Sequence, residues 1–164
     1  MDLIQQLGPL AFASRLKRLA ELLQKDVSQL YQELSVEFEA RWFPVVFYLK
    51  DRHDIPLTTV AQDLGLTHPA VNQVAGDLEN HGLLESSRDK DDDRRRLLNL
   101  TKKGRATVRT LEPVWIKIAQ ATRDLIDLSG CDVLKALEKM ERSLNEQPMH
   151  DRLVERLKNK KIEA

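Results

Sequence analysis

The 164-residue sequence has a single cysteine, Cys131. No intrachain disulfide can form, and no cysteine-built metal site can come from one chain, so a secreted disulfide scaffold is excluded. No apolar run approaches the roughly 18 residues that span a bilayer. Asp2 stands where a signal peptide would carry basic residues, and no basic stretch precedes an apolar one. These absences together predict a cytoplasmic protein. Glycine and proline number six each, and long stretches contain neither, which points to a mostly helical chain. Neither sign of charge dominates, with 26 basic and 26 acidic residues. Global charge therefore gives no support to nucleic-acid binding, yet it does not exclude it. The field that matters near a phosphate is local and screened within about 10 Å. With 41% apolar residues the chain can bury one core, and its length suits one domain.

Helical periodicity dominates what is there. From Pro9 to Leu34, apolar residues recur at Leu16, Leu19, Leu23, Val27, Leu30 and Leu34 in steps of three and four, one continuous helical face. A second helix starts at Phe43-Pro44, with proline in its first turn and Phe43, Val46, Phe47 and Leu49 as core. Ile55 precedes Pro56 and is biased to an extended backbone. Beyond the central region, Thr101 caps a long helix that reaches Leu128 and contains Pro113. Another helix runs from Asp132 to Asn145, and Leu153, Val154 and Leu157 are spaced for a last short one.

The informative stretch runs from Leu57 to Thr101. A short helix begins near Thr58 as cap, buries Val60, Ala61 and Leu64, and stops at Gly65, with Leu66 as a buried plug. Thr67 caps a second helix that runs to about Asn80 and turns Val71, Val74, Ala75 and Leu78 inward. Two short helices joined by a tight glycine turn form a helix-turn-helix. Leu83 to Ser86 and Arg96 to Leu100 are strands, and the charged block between them is their connecting loop. The predicted fold is therefore mainly α with a small β-hairpin wing. It is a winged helix-turn-helix over residues 43–100, flanked by N- and C-terminal dimerisation helices at 7–35 and 101–160. Those flanking helices carry more apolar surface than the central unit can cover, which predicts a second copy of the chain in a two-fold dimer.

The charged block offers several chemistries. Asp91, Asp92 and Asp93 lack the alternating ligands of a calcium loop and have arginines beside them. His53, His68, His81 and His150 show no metal-binding spacing, and no nucleophile triad or glycine-rich phosphate loop is present. No metal, no cofactor and no enzyme activity is expected. Cys131 reads as a small core residue, with an oxidation sensor as the less favoured reading. Tyr31, Trp42, Phe43, Phe47 and Trp115 are either core or the lining of an effector cleft.

Nucleic acid fits the remaining features better. Thr67 and His68 lie at a helix N-terminus, whose N–H groups suit a phosphate. Asn72 and Gln73 point outward, and their amides match the donor-acceptor pair of adenine in the major groove. Arg88, Arg94 and Arg95 belong to the wing, where an arginine can enter a narrow minor groove. Asp92 is placed to order Arg94. A winged-helix adaptor that binds protein is the alternative, but it calls for an acidic or apolar outward helix face.

The order of these elements resembles the MarR family of bacterial winged-helix transcriptional regulators. Three stretches carry the likeness. They are Asp92-Asp93-Arg94 in the wing, Leu100-Thr101-Lys102-Lys103-Gly104 at the start of the long helix, and the Leu-Glu-x-x-Gly-Leu run from Leu78 to Leu83. The resemblance implies a homodimer on a pseudo-palindromic double-stranded DNA site, with recognition helix 67–80 in the major groove and wing 86–97 at the minor groove. It also implies a repressor released by a small amphipathic or aromatic effector. The DNA-contacting positions carried over are Thr67, His68, Asn72, Gln73 and Arg94.

Overall fold

The computed structural model describes residues 2–89, 92 and 95–159. The chain opens on a short helix α1 (Leu3–Gln6), capped by Asp2, whose carboxylate accepts from the Gln5 N–H at 2.9 Å. A 3-10 turn at Gly8–Ala11 leads into α2 (Phe12–Glu33). A second 3-10 turn, Ala40–Trp42, precedes α3 (Phe43–Leu49), with Pro44 in its first turn as expected. Then come β1 (Ile55–Pro56), α4 (Leu57–Asp63), α5 (His68–Asn80), β2 (Leu84–Arg88), β3 (Arg96–Leu100), α6 (Lys102–Asp127), α7 (Val133–Glu146) and α8 (Met149–Asn159). Among the described residues no helix is long and apolar enough to cross a membrane.

Local rules explain most boundaries. Gly65 sits at φ +63 and Gly82 at φ +67, left-handed positions that end α4 and α5. The Thr67 hydroxyl accepts from the Ala70 N–H at 3.3 Å and caps α5. Asp132 caps α7 through the Lys135 N–H at 2.9 Å. Other expectations need correction. Helix α4 begins at Leu57, so Thr58 lies inside it and Pro56 takes the capping position. Leu66 is 41% exposed and is no buried plug, because the turn between the two helices passes over the surface. Phe47 is 43% exposed while its neighbour Val45 is 1% exposed, so the inward face of α3 is Val45, Val46 and Leu49.

The sheet has three strands where the sequence suggested a hairpin. Its order is β1-β3-β2, all antiparallel, with Ile55 opposite Leu98 and Leu84 opposite Leu100. The extended backbone forced on Ile55 by Pro56 is what lets this short segment pair. Asp54, just before it, adopts φ +52. Asn99 steadies that turn: its side-chain oxygen accepts from the Asp54 N–H at 2.8 Å and its NH2 donates to the Asp54 carboxylate at 2.7 Å. Leu84, Leu98 and Leu100 are buried, so one face of the sheet closes the core.

By contacts the chain forms two compact units that divide after Trp115. The first unit contains the winged helix and a core built on aromatic contacts. Tyr31 meets Phe38 edge-on at 5.2 Å, Phe38 meets Trp42 at 5.6 Å, and Phe43 meets Trp115 at 5.0 Å. The buried Trp115 Nε1 donates to the Tyr31 hydroxyl at 3.1 Å, and burial pushes the Tyr31 phenol up from its ordinary pKa. The same unit exposes an apolar row on α2, with Leu16 at 40% and Leu19 at 52%. The second unit, from Ile116 onward, comprises the rest of α6 with α7 and α8. None of its described residues is buried, although Leu134, Leu144 and Leu153 are among its large apolar side chains.

The junction into α6 is the tightest point of the first unit. The Leu83 carbonyl accepts from the Thr101 N–H at 3.1 Å, and the Thr101 hydroxyl donates to the Gly82 carbonyl at 2.6 Å. That same hydroxyl accepts from the Gly104 N–H at 3.0 Å. A Cβ at position 104 would lie 2.0 Å from the Leu83 oxygen. Backbone opposes backbone there, so nothing flexible can give way. Gly104→Ala is therefore expected to destabilise the fold by about 3 kcal/mol, read as a lowered urea midpoint with an unchanged slope.

Candidate nucleic-acid interface

Helix α5 carries the residues that the sequence assigns to groove reading. Its inward side is Val71, Ala75 and Leu78, each 0% exposed. Thr67, His68, Asn72 and Gln73 are all exposed, as the sequence requires of groove-facing residues. The helix itself has no lysine or arginine, and its acids Asp77 and Glu79 stand on its two flanks.

Both acids are answered by arginines from neighbouring elements. Arg41 Nη2 lies 3.1 Å from Asp77 Oδ2, an ion pair whose angle falls short of a hydrogen bond. On the other flank Arg96 Nη2 donates to Glu79 Oε2 at 2.6 Å. Arg96 Nε also donates to the Ser86 hydroxyl at 3.0 Å, and that hydroxyl donates to Glu79 Oε1 at 2.5 Å. Arg96 Nη1 reaches Asn72 Oδ1 at 2.6 Å. One guanidinium thus ties the start of β3 to β2 and to both ends of α5.

The alternation of β3 explains why Arg96 points this way. Arg96, Leu98 and Leu100 share a face, and the two leucines on it are buried. The face that closes the core continues outward as Arg96 over the flank of α5. Asn72 and Glu79 are seven residues apart and fall on one helical row. Neither partner could be found from the sequence without the register of the hairpin. The contact also changes what Asn72 offers. Guanidinium only donates, so it engages the Asn72 oxygen and uses one of its two acceptor positions, while the NH2 is not used by this contact.

Burial works to raise the Glu79 carboxyl, but the Ser86 and Arg96 hydrogen bonds outweigh it and hold the group below its ordinary value. The pair is one-third exposed at Arg96, so its worth is modest.

The wing tip is ordered differently. The Arg95 N–H donates to the Asp92 carbonyl at 2.8 Å, and the Asp89 N–H donates to the Arg95 carbonyl at 3.0 Å. The Arg95 side chain is 60% exposed and lies 3.9 Å from Asp92 and 4.0 Å from Asp89. Arg88 ends β2, exposed and directly opposite Arg96 in the register. Arg94, the arginine that Asp92 was expected to order, lies outside the described residues, as do Lys90, Asp91 and Asp93. Within the described residues Asp92 is an ion-pair partner of Arg95.

The aromatic residues weighed as a cleft pack on one another as core of the first unit, with Phe47 5.8 Å from Trp115 at its edge. Cys131 is exposed and not the small core residue expected, because it lies in the turn between α6 and α7, 3.4 Å from the Ser129 hydroxyl.

A depressed carboxylate stabilises the fold above its unfolded-state value and loses that contribution as pH falls through its folded-state value. Glu79→Gln is therefore expected to cost about 1 kcal/mol near pH 7. The gap to wild type should close as pH falls below the ordinary carboxylate range and through the lower folded-state value of Glu79. Urea unfolding of both proteins across pH measures this, and a gap that persists in acid would remove the Arg96–Glu79 account.

No protein-family model matches the sequence, and neither does any curated protein. Solved structures do. The PcaV transcriptional regulator from Streptomyces coelicolor is 24% identical, covering 90% of this chain and 96% of that one, with a TM-score of 0.65. A MarR/EmrR family transcriptional regulator from Acinetobacter sp. ADP1 is 21% identical, over 82% and 94% of the chains, with a TM-score of 0.64. The transcriptional repressor CouR, solved on a 23-mer DNA duplex, is 26% identical over 85% and 96%, with a TM-score of 0.58. The fold of this chain is that of the MarR family of winged-helix regulators.

Proposed function

We propose that the chain is a sequence-specific double-stranded DNA-binding transcriptional regulator, a cytoplasmic repressor that acts as a homodimer. The observation that carries this reading is the treatment of α5. Its exposed side bears uncharged hydrogen-bonding groups, and both of its flanking acids stand beside arginines brought from elsewhere, Arg96 against Glu79 and Arg41, which it shares with Glu39, against Asp77. An acidic or apolar helix face would favour a protein-binding adaptor, and α5 has neither. The DNA-bound CouR structure supports the same reading.

In this proposal α5 enters the major groove. Thr67 and His68 meet a phosphate at the helix N-terminus, and Gln73 reads a base edge, adenine by its donor-acceptor pair. Asn72 donates its NH2 to a base-edge acceptor. Arg88 and Arg95 supply phosphate contacts from the wing, and Arg94 enters the minor groove. The dimer is supported by the exposed leucine row of α2 and by the second unit, whose described residues are nowhere buried in a single chain. Two copies would present two α5 helices to a pseudo-palindromic site. A small amphipathic or aromatic effector belongs to the proposal as well, supported by the exposed rim of Phe47 and by the ligand-bound PcaV structure.

Binding to the chain's own upstream DNA, followed by fluorescence anisotropy, tests the proposal. Equal affinity for that DNA and for random duplex would sink sequence-specific recognition. Gln73→Ala is expected to cost about 1–3 kcal/mol on the preferred site and to relax discrimination at one base pair. Arg95→Ala should instead weaken all duplexes alike and lower the salt slope by about 1. Sizing at micromolar concentration is expected to give a dimer, and a monomer would overturn that part.

A further inference from the structure

Gly76 occupies the middle of α5, where glycine weakens a helix relative to alanine. The fold supplies no reason for it. Its φ is not in the left-handed region, and a Cβ built there meets nothing within 4 Å. Gly104 is the contrast, since a Cβ there would strike the Leu83 carbonyl. Internal packing therefore explains one helical glycine and leaves the other unexplained.

Its surroundings suggest what approaches it. Gln73, Gly76 and Asn80 are spaced by three and four residues and share the face of α5 opposite the buried Val71, Ala75 and Leu78. That face has no charged side chain. The acids beside it, Asp77 and Glu79, are turned to Arg41 and Arg96. Two amide side chains with a missing side chain between them form a shallow saddle with hydrogen-bonding groups at either end. Amides match base edges, and an absent Cβ lets a backbone come close.

We propose that Gly76 is the point of closest approach between α5 and duplex DNA, so that contact with the major groove continues past Gln73 to Asn80. This rests on the DNA-binding reading above. It adds that α5 lies along the groove over most of its length and is not seated by its N-terminal end alone. Gly76 touches a base-pair edge or the sugar-phosphate wall, and Asn80 becomes a polar contact at the far end.

The test uses the full chain and duplexes that the wild-type protein selects from a random pool. Gly76→Ala is expected to raise the melting temperature by about 2–4 °C, because alanine favours the helix. The same variant should bind the selected duplex about tenfold more weakly. Gly76→Leu should bind still more weakly while remaining folded, and Asn80→Ala should lose affinity at the same base positions. A Gly76→Ala protein with raised stability and unchanged affinity would overturn the proposal. So would a lowered melting temperature, which would assign the glycine to internal packing. If wild type selects no duplex at all, the DNA-binding reading itself fails, an outcome distinct from either.

Discussion

The contact between Arg96 and Glu79 decides what kind of surface α5 can be. Without it a half-buried carboxylate would sit uncompensated beside the outward face of α5, and the wing would lose one of its polar ties to the helix. With it the acid is neutralised, Ser86 is drawn in, and Asn72 is fixed by its oxygen. The wing and the helix become one surface. The energy of each bond is modest in partial solvent, but their shared donor makes them a unit. One guanidinium fork fits three acceptors in a way a lysine could not.

This arrangement resolves an oddity of composition. A chain with balanced charge, and a reading helix with acids but no bases, looks poorly suited to DNA. The structure shows where the charge goes. Arg41 from the turn before α3 and Arg96 from β3 each meet one acid of α5. Arg88 and Arg95 stay exposed at the wing. Neutrality overall coexists with a local division of labour, in which Arg41 and Arg96 are turned to the acids of α5 while Arg88 and Arg95 stay exposed at the wing, Arg95 beside Asp89 and Asp92.

Much of this is legible in the sequence. The caps at Thr67 and Thr101, the glycine stops at Gly65 and Gly82, and the two hairpin strands follow from short-range rules that depend on neighbours in sequence. The errors have a common cause. Phe47 and Leu66 fit interior positions by pattern, but periodicity gives the side of a helix and not whether a partner waits there. The strand at Ile55–Pro56 is too short to show alternation, and only its pairing with β3 reveals it. That Arg96 shares the core-side face of β3 with Leu98 and Leu100 is readable from strand parity, whereas Glu79 and Asn72 as its partners are not, since they depend on how the hairpin leans on α5. Gly76 gave no sequence signal at all; it stands out only once the space around it is known to be empty.

The third strand has a mechanical meaning. Because β3 is paired on both sides, the wing is joined through β1 to the residues that lead into α4, while Asn99 holds the turn at Asp54. Swinging the wing alone would break those bonds and the Arg96 ties together. Moving the whole head, from the turn before β1 through β3 and the start of α6 locked to it at Thr101 and Gly104, breaks none of them. A signal arriving from elsewhere in the protein would therefore re-aim a stiff tool and leave its shape unchanged.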